Sequence, residues 1–175
     1  RRHEISARTE VPLVRLLLNG MLREMSEESL ITAEQILVSS ALVTGYFRWI
    51  ERAMKPEFVG LVRLIIRSAD AAVGKIAQAE RAFTTGSVKV PLGASLLAQV
   101  AAQQGAYEGI ATALQTALMA HFVAESPEGD PEQLARMSPS CEHACVTALR
   151  YLASTQGTAW LERTDLSVAK PRETS

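Results

Sequence analysis

The feature that most limits how this chain can fold is the charge-poor stretch from Leu92 to Ala124. Glu108 is its only formal charge, and its apolar residues recur at spacings of three, four and seven. This is the period of an α-helix that turns one face to a core. The stretch therefore predicts one long helix at the centre of the domain.

The predicted helix has two different packing faces. On a helical wheel, bulky side chains occupy one side and small residues occupy nearly the opposite side. Glycine in a helix interior costs about 1 kcal/mol relative to alanine, so glycine on the small side indicates a packing role. We predict that this side forms a helix pairing or subunit contact through Ala98, Ala102, Gly105, Gly109 and Ala113.

The bulky face also carries polar side chains among its leucines. A few convergent polar groups in a helical interior are typical of a ligand pocket. The alternative, which the sequence favours, is that each group is satisfied by a neighbouring backbone or by water. A pocket here would take a small apolar ligand, and its candidate residues are Gln103, Tyr107, His121 and Phe122.

The totals of the chain favour helices and exclude two classes of partner. The 175 residues are 47% hydrophobic but only 5% aromatic, so a core would consist mainly of Ala and Leu. A formal net charge of −1 offers no basic field for nucleic acid. Polar residues interrupt every long apolar run, so no membrane span is expected.

Cap and stop signals divide the chain into helical segments. We predict helices over 10–25, 32–54, 56–83, 92–124 and 139–154, and a short one that ends at Met137. Thr32 and Gln35 form a capping box, and Pro56 is placed to begin the third helix. Short connections imply antiparallel neighbours. The predicted fold is all-α, an up-and-down bundle of five or six helices around the long helix at about 92–124.

The ends of the chain are predicted to lie outside the bundle. We expect a flexible N-terminus over 1–9, a single helical-bundle domain over 10–163 and a flexible tail over 164–175. The apolar run Ala159-Trp160-Leu161 is predicted to pack back on the domain.

Two cysteines one helical turn apart are the only candidate metal ligands. Cys141 and Cys145 would share a helix face, but His143 would point about 160° away from their midpoint. No second cysteine pair is present. We therefore predict no metal and no cofactor, and expect two buried free thiols in a reducing compartment, hence a cytoplasmic location.

An aromatic patch beside two arginines is a candidate partner site. Trp, Tyr and Arg dominate binding hot spots, which favours Tyr46, Trp49 and Arg52 as partner contacts. The alternative is a corner of the core with a basic rim, and the sequence favours that alternative.

Two sequence features resemble those of a known family. They are the break Gly86…Pro91-Leu92 and the segment ALRYLASTQG at residues 148–157. With the order of helices from Pro56 to Arg163, they resemble the C-terminal helical domain of flavin-dependent acyl-CoA dehydrogenases. The resemblance implies an enzyme domain that helps to hold a flavin. The family has Gly-Gly-x-Gly where this chain has Ala-Ser-Thr-Gln-Gly, and no catalytic glutamate is identifiable.

Motifs of the common enzyme classes are missing from the sequence. There is no P-loop, Rossmann fingerprint, HExxH, G-x-S-x-G or Glu-x-x-His. The sequence therefore predicts a non-enzymatic helical-bundle binding domain, a ligand-sensing or assembly module that self-associates. The acyl-CoA dehydrogenase-like enzyme domain is the alternative, and a structural subunit of a larger assembly is the third interpretation.

Overall fold

The structure, a computed structural model, describes residues 12–29, 31–50, 53–66, 92–125 and 137–163. Within these ranges the elements are α1 (Pro12–Ser29), β1 (Ile36–Trp49), β2 (Lys55–Leu64), α2 (Ala94–Ala102), α3 (Tyr107–Glu125), α4 (Pro139–Leu152) and α5 (Thr155–Glu162). The predicted all-α bundle is wrong, because β1 and β2 form an antiparallel hairpin beside five helices. The predicted first helix is confirmed as α1, which extends to Ser29.

The predicted second helix over 32–54 is replaced by β1. The predicted capping box is formed, since the Thr32 amide donates to Gln35 Oε1 at 3.0 Å. It begins only the short 3-10 helix Ala33–Gln35, however, and not an α-helix. From Ile36 onward the chain is extended. Both faces of this strand carry apolar side chains, so its sequence lacks the polar–apolar alternation of a half-exposed strand. A helical period then fits the run equally well.

The predicted third helix over 56–83 is wrong in its described part. The hairpin register runs from Ile36 opposite Leu64 to Trp49 opposite Lys55. Pro56 stands near the start of β2, where proline is tolerated in a strand. Residues 67–83 lie outside the described residues. The likeness to the acyl-CoA dehydrogenase helical domain fails at this point, because that domain needs a helix from Pro56.

Helices pack on both faces of the hairpin. On one face, α1 contributes Leu18 and Leu22 to a buried cluster with Ile36. On the other face, a Cβ added to Gly45 of β1 would lie 2.7 Å from Thr147 Cγ2 of α4. Glycine at this position lets the strand and the helix approach closely. The hairpin is thus the middle layer, with α1 on one side and α4 on the other.

A second buried cluster is entirely helical. Its buried side chains come from α2, α3 and α4, and they are Leu96, Val100, Ile110, Ala113, Leu114, Leu118, Val146 and Leu149. Ile110 is 0% exposed. Because α4 also faces the hairpin, it joins this cluster to the sheet.

The predicted single helix over 92–124 is wrong, because a turn divides it into α2 and α3. Gln104 and Gly105 have φ angles of 49° and 84°, in the left-handed region that ends an α-helix. The Arg150 side chain of α4 donates a hydrogen bond to the Gly105 carbonyl at 2.6 Å and so links the turn to α4. Gly105 therefore serves a turn rather than a helix contact.

The C-terminal helices follow the sequence signals more closely. The predicted start at Ser138-Pro139 is confirmed, and Ser138 Oγ accepts from the Cys141 amide at 3.3 Å. In α5, Trp160 Nε1 donates to the Ser40 carbonyl of β1 at 3.0 Å. This contact confirms that the apolar run around Trp160 packs back on the domain, and it does so on the hairpin.

The chain ends and the short helix before Met137 are not among the described residues. The ends expected to be flexible, 1–9 and 164–175, lie outside the described residues, as does the short helix expected to end at Met137 over most of its length. In the ranges that are described, no helix combines the length and the apolar character needed to cross a bilayer.

Candidate functional site

Tyr107, the first residue of α3, lies where α3, α4 and β1 meet. Its hydroxyl oxygen is 2.8 Å from Glu142 Oε1 and 2.8 Å from His143 Nδ1. The His143 ring also packs between two aromatic rings, with its centroid 4.5 Å from that of Tyr107 and 5.2 Å from that of Phe47. These four side chains, Tyr107, Glu142, His143 and Phe47, are called the Tyr107 cluster below.

The Tyr107 hydroxyl of this cluster has a raised pKa. Partial burial, together with the hydrogen bond to Glu142 and the charge of that carboxylate, raises the pKa of Tyr107 from 10.0 to about 12. At neutral pH the hydroxyl therefore donates to Glu142, and its oxygen can accept from the Nδ1-protonated tautomer of His143. A hydroxyl held in this way joins α3 to α4 and is a weaker acid than a free tyrosine hydroxyl.

The predicted pocket residues do not come together. Tyr107 and His121 lie on the same helix, fourteen positions and roughly 21 Å apart along its axis. Gln103 instead covers Gly109, where an added Cβ would overlap its side-chain amide. The side chain of Phe122 lies outside the described residues. The sequence analysis missed Glu142 and His143 as partners of Tyr107, because they stand on α4 and no local pattern links them to α3.

We expect Tyr107 to ionise at about pH 12 rather than at 10.0. Since the folded-state pKa is raised, the stabilisation from the cluster is complete below about pH 10 and is lost as the pH rises through about 12. In that lower range Tyr107→Phe should lower the free energy of unfolding by about 1 kcal/mol. Tyrosinate absorbance measured against pH checks the titration. The rise in absorbance at about pH 12, called the late step, should be missing from Tyr107→Phe.

Glu142→Gln provides the matched control for this titration. It keeps a hydrogen-bonding oxygen near Tyr107 but removes the negative charge, so the late step should move to lower pH. A late step that persists in Tyr107→Phe would contradict the assignment.

The two cysteines are placed differently from each other. Cys141 is exposed, whereas Cys145 is half-buried against the helical cluster. A hydrogen bond from Cys145 lowers the pKa of Cys141 to about 7, although partial burial acts in the opposite direction. The same contact raises the pKa of Cys145. The expectation of two buried free thiols is wrong for Cys141, which is exposed.

The structure shows no set of metal ligands around this pair. In the described part of the chain, no group of three or more His, Cys, Asp or Glu side chains is placed to hold a metal ion. His143, the nearest imidazole in sequence, is engaged with Tyr107.

The tip of the hairpin exposes large apolar side chains. These residues are Tyr46 (65% exposed), Ile50 (74%), Met54 (48%) and Phe58 (40%), and together they are called the tip patch. Tyr46 and Phe58 are direct cross-strand partners, with ring centroids 6.1 Å apart. Strand alternation separates the predicted aromatic patch, since Phe47 points to α4 and Tyr46 points to solvent. Trp49 is half-buried, and Arg52 lies outside the described residues.

A groove of about 1590 Å³ runs beside the tip patch, between α1 and β2. Its walls are the α1 residues from Leu16 to Ser29 and the β2 residues from Lys55 to Val62. Two buried polar atoms of the α1 wall, Asn19 Oδ1 and Ser26 Oγ, have no hydrogen-bond partner within the described chain. The lining of the groove thus mixes apolar side chains with charged ones, and these two buried atoms are available to a bound molecule.

The predicted small-residue face is not one surface. Ala98 and Ala102 are exposed on α2, Gly105 lies in the turn, and Gly109 is covered by Gln103. Ala113 is buried in the helical cluster. The break between α2 and α3 is the reason, because it takes the two halves of the face out of register.

Comparison with known proteins identifies no family for this chain. The chain matches no protein-family model, no curated protein and no solved structure.

Proposed function

We propose that this chain is an assembly module that self-associates through the tip patch. The observation that carries the proposal is the exposure of four large apolar side chains at one end of the hairpin. Contiguous exposed apolar surface is characteristic of interaction sites, and aromatic residues are enriched at their centres. The cross-strand pair of Tyr46 and Phe58 supplies such a centre.

The charges around the patch favour a second copy of this chain as the partner. Arg48 shares the strand face of Tyr46 and Phe58, whereas Lys55 and Glu57, with Lys55 Nζ 3.0 Å from Glu57 Oε1, lie at the same end of the hairpin on its other face. A two-fold contact presents the same surface from both copies, so a rim with both signs of charge can pair with itself. Nucleic acid or an acidic membrane would instead require a rim of one sign.

The Tyr107 cluster supports a binding role over a catalytic one. A general base works best with a pKa near the operating pH. The pKa of Tyr107 is about 12, so its hydroxyl gives up no proton under ordinary conditions. The cluster accordingly serves to fix α3 and α4 against the hairpin.

A small apolar ligand in the groove is the second candidate function. The specific observation is that Asn19 Oδ1 and Ser26 Oγ are buried there and find no partner among the residues that the structure describes, since such acceptors are seldom left unpaired in native structures. A ligand with an apolar body and one or two hydrogen-bond donors would suit this wall.

Sedimentation equilibrium over a concentration series tests the assembly proposal. We expect a reversible dimer for the natural chain. The double variant Tyr46→Ser, Phe58→Ser should weaken it by at least about tenfold in Kd, because each lost side chain removes about 1.5–3 kcal/mol of apolar burial.

The matched control is Ile65→Ser, which removes an apolar side chain that is 46% exposed beyond the opposite end of β2. It should dimerise like the natural chain. A natural chain that stays monomeric at every concentration would refute the proposal, and so would equal loss of dimer in the control.

A further inference from the structure

The first two turns of α4 carry a pair of thiols, Cys141 and Cys145, that takes no part in the tip patch. Ser138 caps the first turn by accepting from the Cys141 amide at 3.3 Å, which places the Cys141 sulfur at a helix N-terminus. Cys141 is exposed, and Cys145 follows one turn later on the same face. Residues four apart lie on the same helix face with Cβ atoms about 5–6 Å apart, so the two thiols are direct neighbours on α4.

We propose that Cys141 and Cys145 form a peroxide-reactive dithiol, in which Cys141 is the attacking thiolate and Cys145 is the resolving thiol. The exposed member can reach a small hydroperoxide, and the half-buried member is already beside it. Reactive cysteines have this character, with a partly exposed sulfur, a helix N-terminus and a nearby donor that stabilises the thiolate. The proposal is independent of the assembly function, because no tip-patch residue takes part.

The chemistry proceeds in two steps. The Cys141 thiolate attacks one oxygen of hydrogen peroxide, an S–O bond forms, the O–O bond breaks, and hydroxide leaves to take up the proton that Cys141 released. Cys145 then attacks the resulting sulfenic sulfur, the S–S bond forms and the S–O bond breaks, and the departing hydroxide combines with the Cys145 proton. In sum, two thiols and one peroxide give one disulfide and two waters, with the thiols oxidised by two electrons and the peroxide reduced.

Closure of this disulfide must reshape the first turn of α4. On a helix, residues four apart have Cβ atoms about 5–6 Å apart, whereas a disulfide brings them to about 3.5–4.5 Å. Glu142 lies between the two cysteines, and its carboxylate accepts from Tyr107 at 2.8 Å. A change in the backbone of this turn displaces Glu142 relative to Tyr107 on α3. Oxidation should thus loosen the Tyr107 cluster.

Mass spectrometry of the full chain treated with hydrogen peroxide tests the proposal. The natural chain should lose about 2 Da and both free thiols, and dithiothreitol should restore them. In Cys145→Ser the reaction should stop at a sulfenic acid on Cys141, which dimedone traps. In Cys141→Ser, Cys145 should react at least about tenfold more slowly than Cys141 does in the other variant, because Cys145 is half-buried against the helical cluster.

The tyrosinate titration supplies an independent readout. Peroxide should shift the ionisation of Tyr107 to lower pH in the natural chain, but not in Cys145→Ser, where no ring can close. Survival of both thiols at peroxide concentrations that consume free cysteine would overturn the proposal. A disulfide that joins two chains would also overturn it, as would equal rates in the two serine variants.

Discussion

Replacing Gly157 with alanine is expected to lower the free energy of unfolding by about 3 kcal/mol or more. Gly157 is buried in the first turn of α5, where its amide donates to the Ser154 cap at 3.1 Å. An added methyl group would overlap the carbonyl oxygen of Tyr151 and backbone atoms of Leu152. Backbone atoms cannot rotate out of the way, so α5 must shift and pull Trp160 from β1. Urea denaturation followed by tryptophan fluorescence measures the loss.

Gly20→Ala is the matched control for this substitution. Gly20 lies inside α1, and no described atom from outside its own turn of helix comes within 4 Å of an added Cβ. Alanine there should leave stability unchanged or raise it by up to about 1 kcal/mol, the difference in helix propensity. If Gly157→Ala unfolds at the same urea concentration as Gly20→Ala, the docking of α5 is not as described.

Truncating Ile110 to alanine is expected to cost about 3–4 kcal/mol. Ile110 is 0% exposed within the helical cluster, where Val100 and Val146 are also fully buried. Removing three carbons there leaves a cavity between α2, α3 and α4 that cannot collapse without moving a helix. The midpoint of urea unfolding should fall while the slope stays constant.

Ile65→Ala makes the same chemical change at a position that is 46% exposed. It should cost less than about 1 kcal/mol, because little apolar area is lost from the core. Similar costs for the two isoleucines would mean that the helical cluster does not carry the stability assigned to it.

The helices that the sequence predicted correctly are those with strong local signals. α4 begins with Ser138-Pro139, and both the cap and the first-turn proline act within one turn of the chain. α1 likewise follows from a regular apolar period. Such signals need no information about the rest of the fold, which is why they survive in the structure.

The hairpin could not be recognised from periodicity, because helices cover it on both sides. The better signal was composition, since β1 is rich in β-branched and aromatic residues. Glycine was a second signal. Gly45 and Gly60 stand where the strands meet Thr147 of α4 and Met21 of α1, and neither has a role in a helix interior.

The candidate sites were predictable only in part. Tyr107 was recognised as a polar residue among apolar ones, but its partners lie 35 and 36 positions away on another helix. The helix break was signalled by Gly105, which the wheel assigned to a packing face. A wheel assumes one continuous helix, so it cannot report the turn that ends it.

The presence of two separate buried clusters has a consequence for how this chain is made. Residues up to 66 contain α1, both strands and the whole α1-side cluster, so a nascent chain can form this unit early. α4 is synthesised about 70 residues later, which is a delay of roughly 4–15 s at ribosomal rates. During that interval the sheet face around Gly45 and Phe47 lacks its helical cover. The nascent protein is then most exposed to aggregation and to capture by chaperones, and the arrival of α4 and α5 ends that period.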